Sequence, residues 1–160
     1  MSQDTPIVSI LMGSKSDLPI MTKAADVFKE NDIPFELKVM SAHRLPNQVA
    51  EYASNAKSKG IKVLIGGAGM AAHLCGALAA HSTLPVIGVP LTSQQGLGGV
   101  DALYSTVQMP KGVPVATVAI DNAANAAFLA MQIIGLADPA IAQKYEDYRK
   151  AQQEKLLADS

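Results

Sequence analysis

The chain is poor in cysteine, histidine and aromatic residues: its 160 residues include one cysteine, three histidines and no tryptophan, and aromatic residues make up 4%. One cysteine excludes an internal disulfide, and four scattered sulfur and imidazole ligands match no zinc-site spacing, so we expect no metal. Thirteen basic and fourteen acidic side chains give a net charge of -1, without the basic excess typical of nucleic-acid or acidic-membrane binding. We therefore expect a small-molecule partner, with no nucleic acid and no membrane.

Long apolar runs are also missing. No stretch reaches the length of a membrane span without polar or charged residues, and residues 1–9 lack the basic start and apolar core of a secretory signal. Hydrophobic residues nevertheless make up 49% of the chain, which is enough for a substantial core without disulfides. We expect one domain over residues 1–160, located in the cytoplasm.

Short β-rich runs alternate with longer helical patterns. Strands are predicted at residues 8–11, 35–40, 62–65, 84–89 and 114–120, and helices at 17–30, 46–59, 72–81, 100–108 and 122–136. Gly66 is expected to open a loop after the third strand, and Pro90 to close the fourth. Because parallel crossovers are right-handed and bury an apolar helix face, the alternation predicts a flavodoxin-like, three-layer α/β sandwich. Its doubly wound parallel sheet would have about five strands, in the order 2-1-3-4-5.

The segment at residues 138–157 predicts a further helix that this sheet does not require. The core would then span about residues 6–136. Ile141, Tyr145, Tyr148 and Leu156 fall near one face of the helix, and charged residues occupy much of the rest. Two readings stay open: the helix packs on its own domain, or it forms an arm that grips a neighbouring subunit.

Polar loops follow the first two predicted strands, with the sequence GSKSD at residues 13–17 and SAHR at residues 41–44. In a doubly wound sheet the ligand lies outside the carboxyl ends of the strands, where the strand order reverses, so both loops should line one crevice. Hydroxyls, a lysine and free N–H groups at a helix start suit a phosphate, whereas Asp17 better suits ribose hydroxyls. The first loop lacks the spacing of a P-loop, and a plain turn with Asp17 as N-cap is its alternative reading.

The second loop carries the sharper signal. His43 can exchange a proton near neutral pH, and Arg44 can bind a phosphate through two hydrogen bonds. The glycines at residues 66–69 fit either close approach to a ligand or close packing of helix on sheet, and both readings stay open. Cys75 is interpreted as a small core residue, since a nucleophilic role would need a neighbour that lowers its pKa.

Several motifs together resemble the PurE family of purine biosynthesis, over about residues 8–136. They are GSKSD at 13–17, SAHR at 41–44, GAG at 67–69 with AAHL at 71–74, PVIGVP at 85–90 and VQMPKGVPVAT at 107–117. Arg44 after His43 resembles the N5-carboxyaminoimidazole ribonucleotide mutases, whereas carboxylases of the same family typically have lysine there. Met70, Cys75 and the segment at residues 121–125 depart from the usual family pattern.

The resemblance implies a cofactor-free transfer of a carboxyl group, within a small ribonucleotide substrate, from the exocyclic nitrogen to C4 of the imidazole. His43 would be the catalytic acid and base. The resemblance also implies a set of substrate-binding residues, with Ser14 and Arg44 around the phosphate, Asp17 on the ribose, and the others around these groups and the imidazole: Ser16, Ser41, Gly67, Ala68, Gly69, His73 and Leu74. It further implies a homo-octamer with sites between subunits.

Two alternatives to the mutase remain. One is direct carboxylation of aminoimidazole ribonucleotide by CO2, which would use the same fold and the same histidine. The other is a non-catalytic, flavodoxin-like binding module. A flavin site in such a module is disfavoured by the few aromatics, and a phosphate-receiver site by Gly66 where its acceptor aspartate would stand.

Overall fold

A computed structural model describes residues 5–159. Five parallel strands form one sheet: β1 (Val8–Met12), β2 (Phe35–Val39), β3 (Val63–Gly69), β4 (Val86–Leu91) and β5 (Ala116–Thr117). Their order is β2-β1-β3-β4-β5, which confirms the predicted topology. Ile10 of β1 pairs with Leu37 on one side and Ile65 on the other, so the strand order reverses between β1 and β3.

Helices cover both faces of the sheet. They are α1 (Leu18–Glu30), α2 (Pro46–Ala56), α3 (Leu74–His81), α4 (Val100–Val107), α5 (Ala123–Gly135) and α6 (Pro139–Ala158). On one face α1 and α5 pack together over Val63 and Ile65, with Phe28 fully buried among them. On the other face α2 and α3 pack over Leu11 and Leu64. The layers are those of the predicted sandwich.

The sheet differs from the prediction at its carboxyl edge. The loop expected from Gly66 onward is wrong, because residues 66–69 continue β3: Gly67 pairs with Met12, and Gly69 pairs with Leu91. Pro90 likewise lies inside β4 and does not end it. Proline is tolerated there because the ladder with β5 ends at Gly88, so no strand residue opposite Pro90 needs its missing N–H, and its carbonyl accepts a hydrogen bond of 2.9 Å from the N–H of Asp121.

The first half of α6 packs on the helix before it. Ile141 is buried, and Phe128 of α5 contacts Tyr145 and Tyr148 with ring centroids 5.9 and 4.2 Å apart. The Lys144 ammonium donates to the carbonyl of Asn31. From residue 151 to residue 159 the helix is exposed. The first half of α6 therefore packs on its own domain, which was the first of the two predicted readings. Within residues 5–159 no helix is long and apolar enough to cross a membrane.

Candidate functional site

The loops after β1, β2 and β3 meet at the point where the strand order reverses. They enclose a cavity of about 390 Å³ outside the carboxyl ends of the strands. All the predicted site residues except Gly67 line it: Ser14, Ser16, Asp17, Ser41, His43, Arg44, Ala68, Gly69, His73 and Leu74. The topology thus brings together residues that lie up to 60 positions apart in the sequence.

The loop after β1 is closed by its own side chains. The N–H of Ser14 donates to the Asp17 carboxylate (2.9 Å), the N–H of Ser16 donates to the Ser14 hydroxyl oxygen (3.3 Å), and the two serine hydroxyls lie 3.0 Å apart. Asp17 precedes α1, as predicted, but its carboxylate holds this loop and makes no capping bond to the helix. Burial raises the pKa of Asp17, although the Ser14 hydrogen bond and the positive charge of Arg44 act against the shift.

Arg44 ties the second loop to the first. Its guanidinium donates a hydrogen bond of 2.9 Å to the carbonyl of Gly13. The backbone N–H of Arg44 donates to the Ser41 hydroxyl oxygen at 3.3 Å. One nitrogen of the guanidinium is therefore fixed at the first loop. Since a guanidinium carries five N–H donors, the group keeps donors for a ligand.

His43 and His73 both line the cavity and contact each other. His43 lies in the turn between β2 and α2, and His73 immediately precedes α3. The Nε2 atom of His43 is 2.8 Å from Nδ1 of His73, and the rings meet edge to face with centroids 4.8 Å apart. The two imidazoles therefore share one hydrogen bond. No sequence motif indicated this pairing, because the residues come from different loops.

The glycines of β3 divide between the two readings that the sequence left open. A Cβ atom on Gly67 would lie 2.3 Å from the sulfur of Met21 in α1, and one on Gly66 would lie 2.8 Å from the sulfur of Cys75 in α3. These two glycines allow the helices to pack closely on opposite faces of the strand. Gly69 lines the cavity, and Gly67 does not. The substrate-binding role predicted for Gly67 therefore has no support in its position.

Cys75 behaves as the sequence predicted. Its side chain is fully buried, and its thiol donates to the carbonyl of Gly66 at 3.2 Å. Burial raises the pKa of this thiol to about 12. The thiol therefore fills space that Gly66, which has no side chain, leaves between α3 and β3.

Other lining residues were not among the predicted site residues. Ser93 and Gln95 reach the cavity from the loop after β4. Asp121 anchors the start of that loop, because its carboxylate accepts hydrogen bonds from the N–H and the hydroxyl of Thr92 at 2.8 and 2.7 Å. Met70 also lines the cavity and has a φ of 55°, in the left-handed region that glycine prefers. The sequence marked Met70 only as a departure from the usual family pattern.

A larger groove of about 960 Å³ lies at the opposite, amino-terminal edge of β4 and β5. Its lining in the described part of the chain includes His81 and no aspartate, glutamate, lysine or arginine. Ligands of parallel α/β sheets bind at the carboxyl edge, and the acid-base and cationic groups converge there, so the smaller cavity is the candidate site. Among residues 5–159 no cluster of three or more His, Cys, Asp or Glu side chains could hold a metal ion.

Fold and cavity together define a doubly wound α/β protein whose site for a small molecule combines paired imidazoles with a serine-rich loop and a guanidinium. Comparison with known families shows which family of this class the chain belongs to. The chain belongs to the AIR carboxylase family, whose model matches residues 7–155.

Individual relatives agree with that assignment. The chain is 51% identical to an N5-carboxyaminoimidazole ribonucleotide mutase of Pyrococcus horikoshii, over 98% of this chain and 88% of the relative. It is also 51% identical to a phosphoribosylaminoimidazole carboxylase of Saccharomyces cerevisiae, of which it covers 26%. Among solved structures, PurE of Treponema denticola superposes with a TM-score of 0.86 at 30% identity, over 96% of each chain.

Proposed function

We propose that this protein converts N5-carboxyaminoimidazole ribonucleotide into 4-carboxy-5-aminoimidazole ribonucleotide in purine biosynthesis. Relatives that this chain covers almost end to end carry the mutase name, whereas it covers about a quarter of the yeast carboxylase. The observation that carries the proposal is the convergence of His43, His73, Asp17 and Arg44 on one cavity at the carboxyl edge of the sheet. Arg44 after His43 is also the residue that the mutase class favours.

His43 would act as both acid and base. In the first step the bond between the exocyclic nitrogen and the carboxylate carbon breaks, CO2 leaves, and protonated His43 supplies a proton to the nitrogen. In the second step C4 of the imidazole attacks CO2, and His43 takes the proton that C4 then loses. The proton balance closes, because His43 ends in the state in which it began. No redox step is involved, and we propose no cofactor.

The other residues of the cavity would bind and orient the ribonucleotide. We assign the phosphate to Ser14, Ser16 and Arg44, where hydroxyls, free N–H groups and a guanidinium converge. Asp17 would accept hydrogen bonds from ribose hydroxyls. The remaining predicted contacts, Ser41, Ala68, Gly69, His73 and Leu74, would surround the imidazole and its carboxylate. The cavity would keep released CO2 next to the ring, which raises its effective concentration.

We also propose a cytoplasmic homo-octamer. An exposed apolar stripe on α4 supports assembly into an oligomer. It is formed by Val100, Tyr104 and Val107, whose fractional exposures are 44, 62 and 43%. Apolar stripes of this kind are typical of surfaces that become buried between subunits. Sedimentation analysis of the purified chain gives the subunit number directly.

The test of the reaction supplies the purified chain in parallel with the N-carboxylated ribonucleotide and with aminoimidazole ribonucleotide plus excess bicarbonate. We expect 4-carboxy product much faster from the first mixture. Product from the second mixture alone would make the chain a carboxylase, and product from neither would favour a binding module.

Replacing the acid-base group tests its assigned role. His43→Asn should lower kcat by about 10²- to 10⁴-fold, the usual contribution of general acid-base catalysis, with KM changed only a few-fold. His81→Asn is the matched control, because His81 lies at the far end of α3 beside the opposite groove. Near-normal turnover by His43→Asn would remove His43 from the mechanism.

A further inference from the structure

The 2.8 Å contact between the two histidines restricts where protons can lie. A hydrogen bond between Nε2 of His43 and Nδ1 of His73 needs one proton and one lone pair, so one ring donates and the other accepts. Within residues 5–159, no hydrogen bond to protein occupies Nδ1 of His43 or Nε2 of His73. Each ring therefore has one nitrogen committed to its partner and one left over.

The direction of this bond decides whether His43 can serve as a base. A neutral imidazole has one lone pair on nitrogen. If His73 donated, that lone pair of His43 would be taken by its neighbour. If His43 donates, Nε2 carries the proton and the lone pair on Nδ1 is free.

We infer that His73 is a positioning residue that accepts a hydrogen bond from Nε2–H of His43, and that Nδ1 of His43 exchanges the proton with the substrate. This inference rests on the acid-base role proposed for His43. His73 would then carry its own proton on Nε2. When His43 gains a proton on Nδ1, the same bond persists and becomes charge-assisted, which stabilises the cation that the first step needs.

The place of His73 in the fold agrees with this role. It stands at the N-cap position of α3 and makes no capping hydrogen bond through its side chain, although serine, threonine, aspartate or asparagine would cap the helix better. The charged side chains that line the cavity are Asp17 and Arg44, and in the described part of the chain neither bonds to either imidazole.

Two substitutions separate the hydrogen bond from the bulk of the side chain. In His73→Asn the amide oxygen lies close to the place of Nδ1 and can accept the bond, whereas His73→Leu fills a similar volume without an acceptor. We expect His73→Leu to lower kcat by about 10- to 100-fold with KM within about three-fold, because the acid-base ring loses its orientation. His73→Asn should recover most of that loss. His81→Asn again serves as the control.

A second measurement reports the proton without any turnover. The chain has three histidines, so nitrogen-15 NMR of a histidine-labelled sample can be assigned with one substitution per residue. We expect neutral His43 to show protonated Nε2 and unprotonated Nδ1, and His73→Leu to change these signals while the His81 signals stay unchanged.

Four results would overturn the inference. They are protonated Nδ1 on neutral His43, unchanged kcat in His73→Leu, a rise in KM alone in that variant, and an asparagine variant as slow as the leucine variant. If the parent chain turned over neither ribonucleotide, the proposed function would fail and the NMR result would still decide the hydrogen bond.

Discussion

A methyl group added at Gly67 tests how tightly α1 packs on the sheet. The new Cβ would lie 2.3 Å from Sδ and 2.7 Å from Cε of Met21, far inside contact distance. Met21 of α1 is fully buried in the core that α1 forms with β3 and α5, so its side chain has little free space to move into. The Gly67→Ala variant must therefore shift either the methionine or the helix.

The size of the effect follows from two opposing contributions. Overpacking of a core usually costs about 1–3 kcal/mol, and the smaller conformational entropy of unfolded alanine returns about 0.4–1 kcal/mol. We expect a net loss of about 1–2 kcal/mol. For a chain of this length that corresponds to a Tm lower by about 2–8 °C.

Removing the Met21 side chain should reverse the sign of the effect that Gly67→Ala has on stability. Met21→Ala alone should cost about 2–5 kcal/mol, because it leaves a cavity. In that background the Gly67 methyl enters the space that the methionine left, so Gly67→Ala becomes neutral or stabilising. The coupling free energy of the cycle should be about 1–3 kcal/mol.

The assay is thermal and urea unfolding at one fixed chain concentration, since assembly links stability to concentration. Gly76→Ala is the control: its Cβ would meet Met109 at an ordinary 3.5 Å, and alanine in a helix gains about 1 kcal/mol over glycine. Equal effects of Gly67→Ala in both backgrounds would refute the packing argument. A raised KM with unchanged stability would instead restore Gly67 as a substrate contact.

Two further predictions concern ionisable groups. Because burial raises the pKa of Asp17, ionising this carboxyl costs stability, and stability falls as pH rises through its titration. Asp17→Asn should therefore raise Tm at pH 7 while weakening ribonucleotide binding. The gain in Tm should disappear below about pH 3.8, the ordinary pKa of the group. An unchanged Tm at pH 7 would count against this prediction. The buried thiol of Cys75, with a pKa near 12, should resist iodoacetamide at pH 8 until the chain unfolds. Full labelling of the folded chain would contradict that burial.

The sequence was sufficient for the order of the strands and for the meeting of the loops, because strand-helix alternation and right-handed crossovers leave few arrangements. It was not sufficient for the end of β3. A strand extends as far as its neighbours pair with it, and the pairing of Gly69 with Leu91 depends on β4 continuing through Pro90. Glycine and proline are poor strand formers, so local propensity favoured an earlier end.

The same limit applies to the position of Gly67. Side chains alternate along a strand, so Gly67 shares the face of Val63 and Ile65, where Met21 of α1 covers it, and Gly69, two residues further along this face, lines the cavity. That inference needs the strand to continue, which the sequence did not predict. The contact between His43 and His73 depends on the conformations of two separate turns, for which no periodicity gives a signal.

The peptide groups of Gly13 bear on the thermal unfolding of the site. The N–H of Gly13 donates to the carbonyl of Gly67 on β3 at 3.1 Å, and its carbonyl accepts from Arg44 after β2. One glycine therefore fastens together the ends of three strands at the wall of the cavity. Since these hydrogen bonds tie this wall of the site to the sheet, ligand binding and catalytic activity should persist up to the temperature at which the sheet melts.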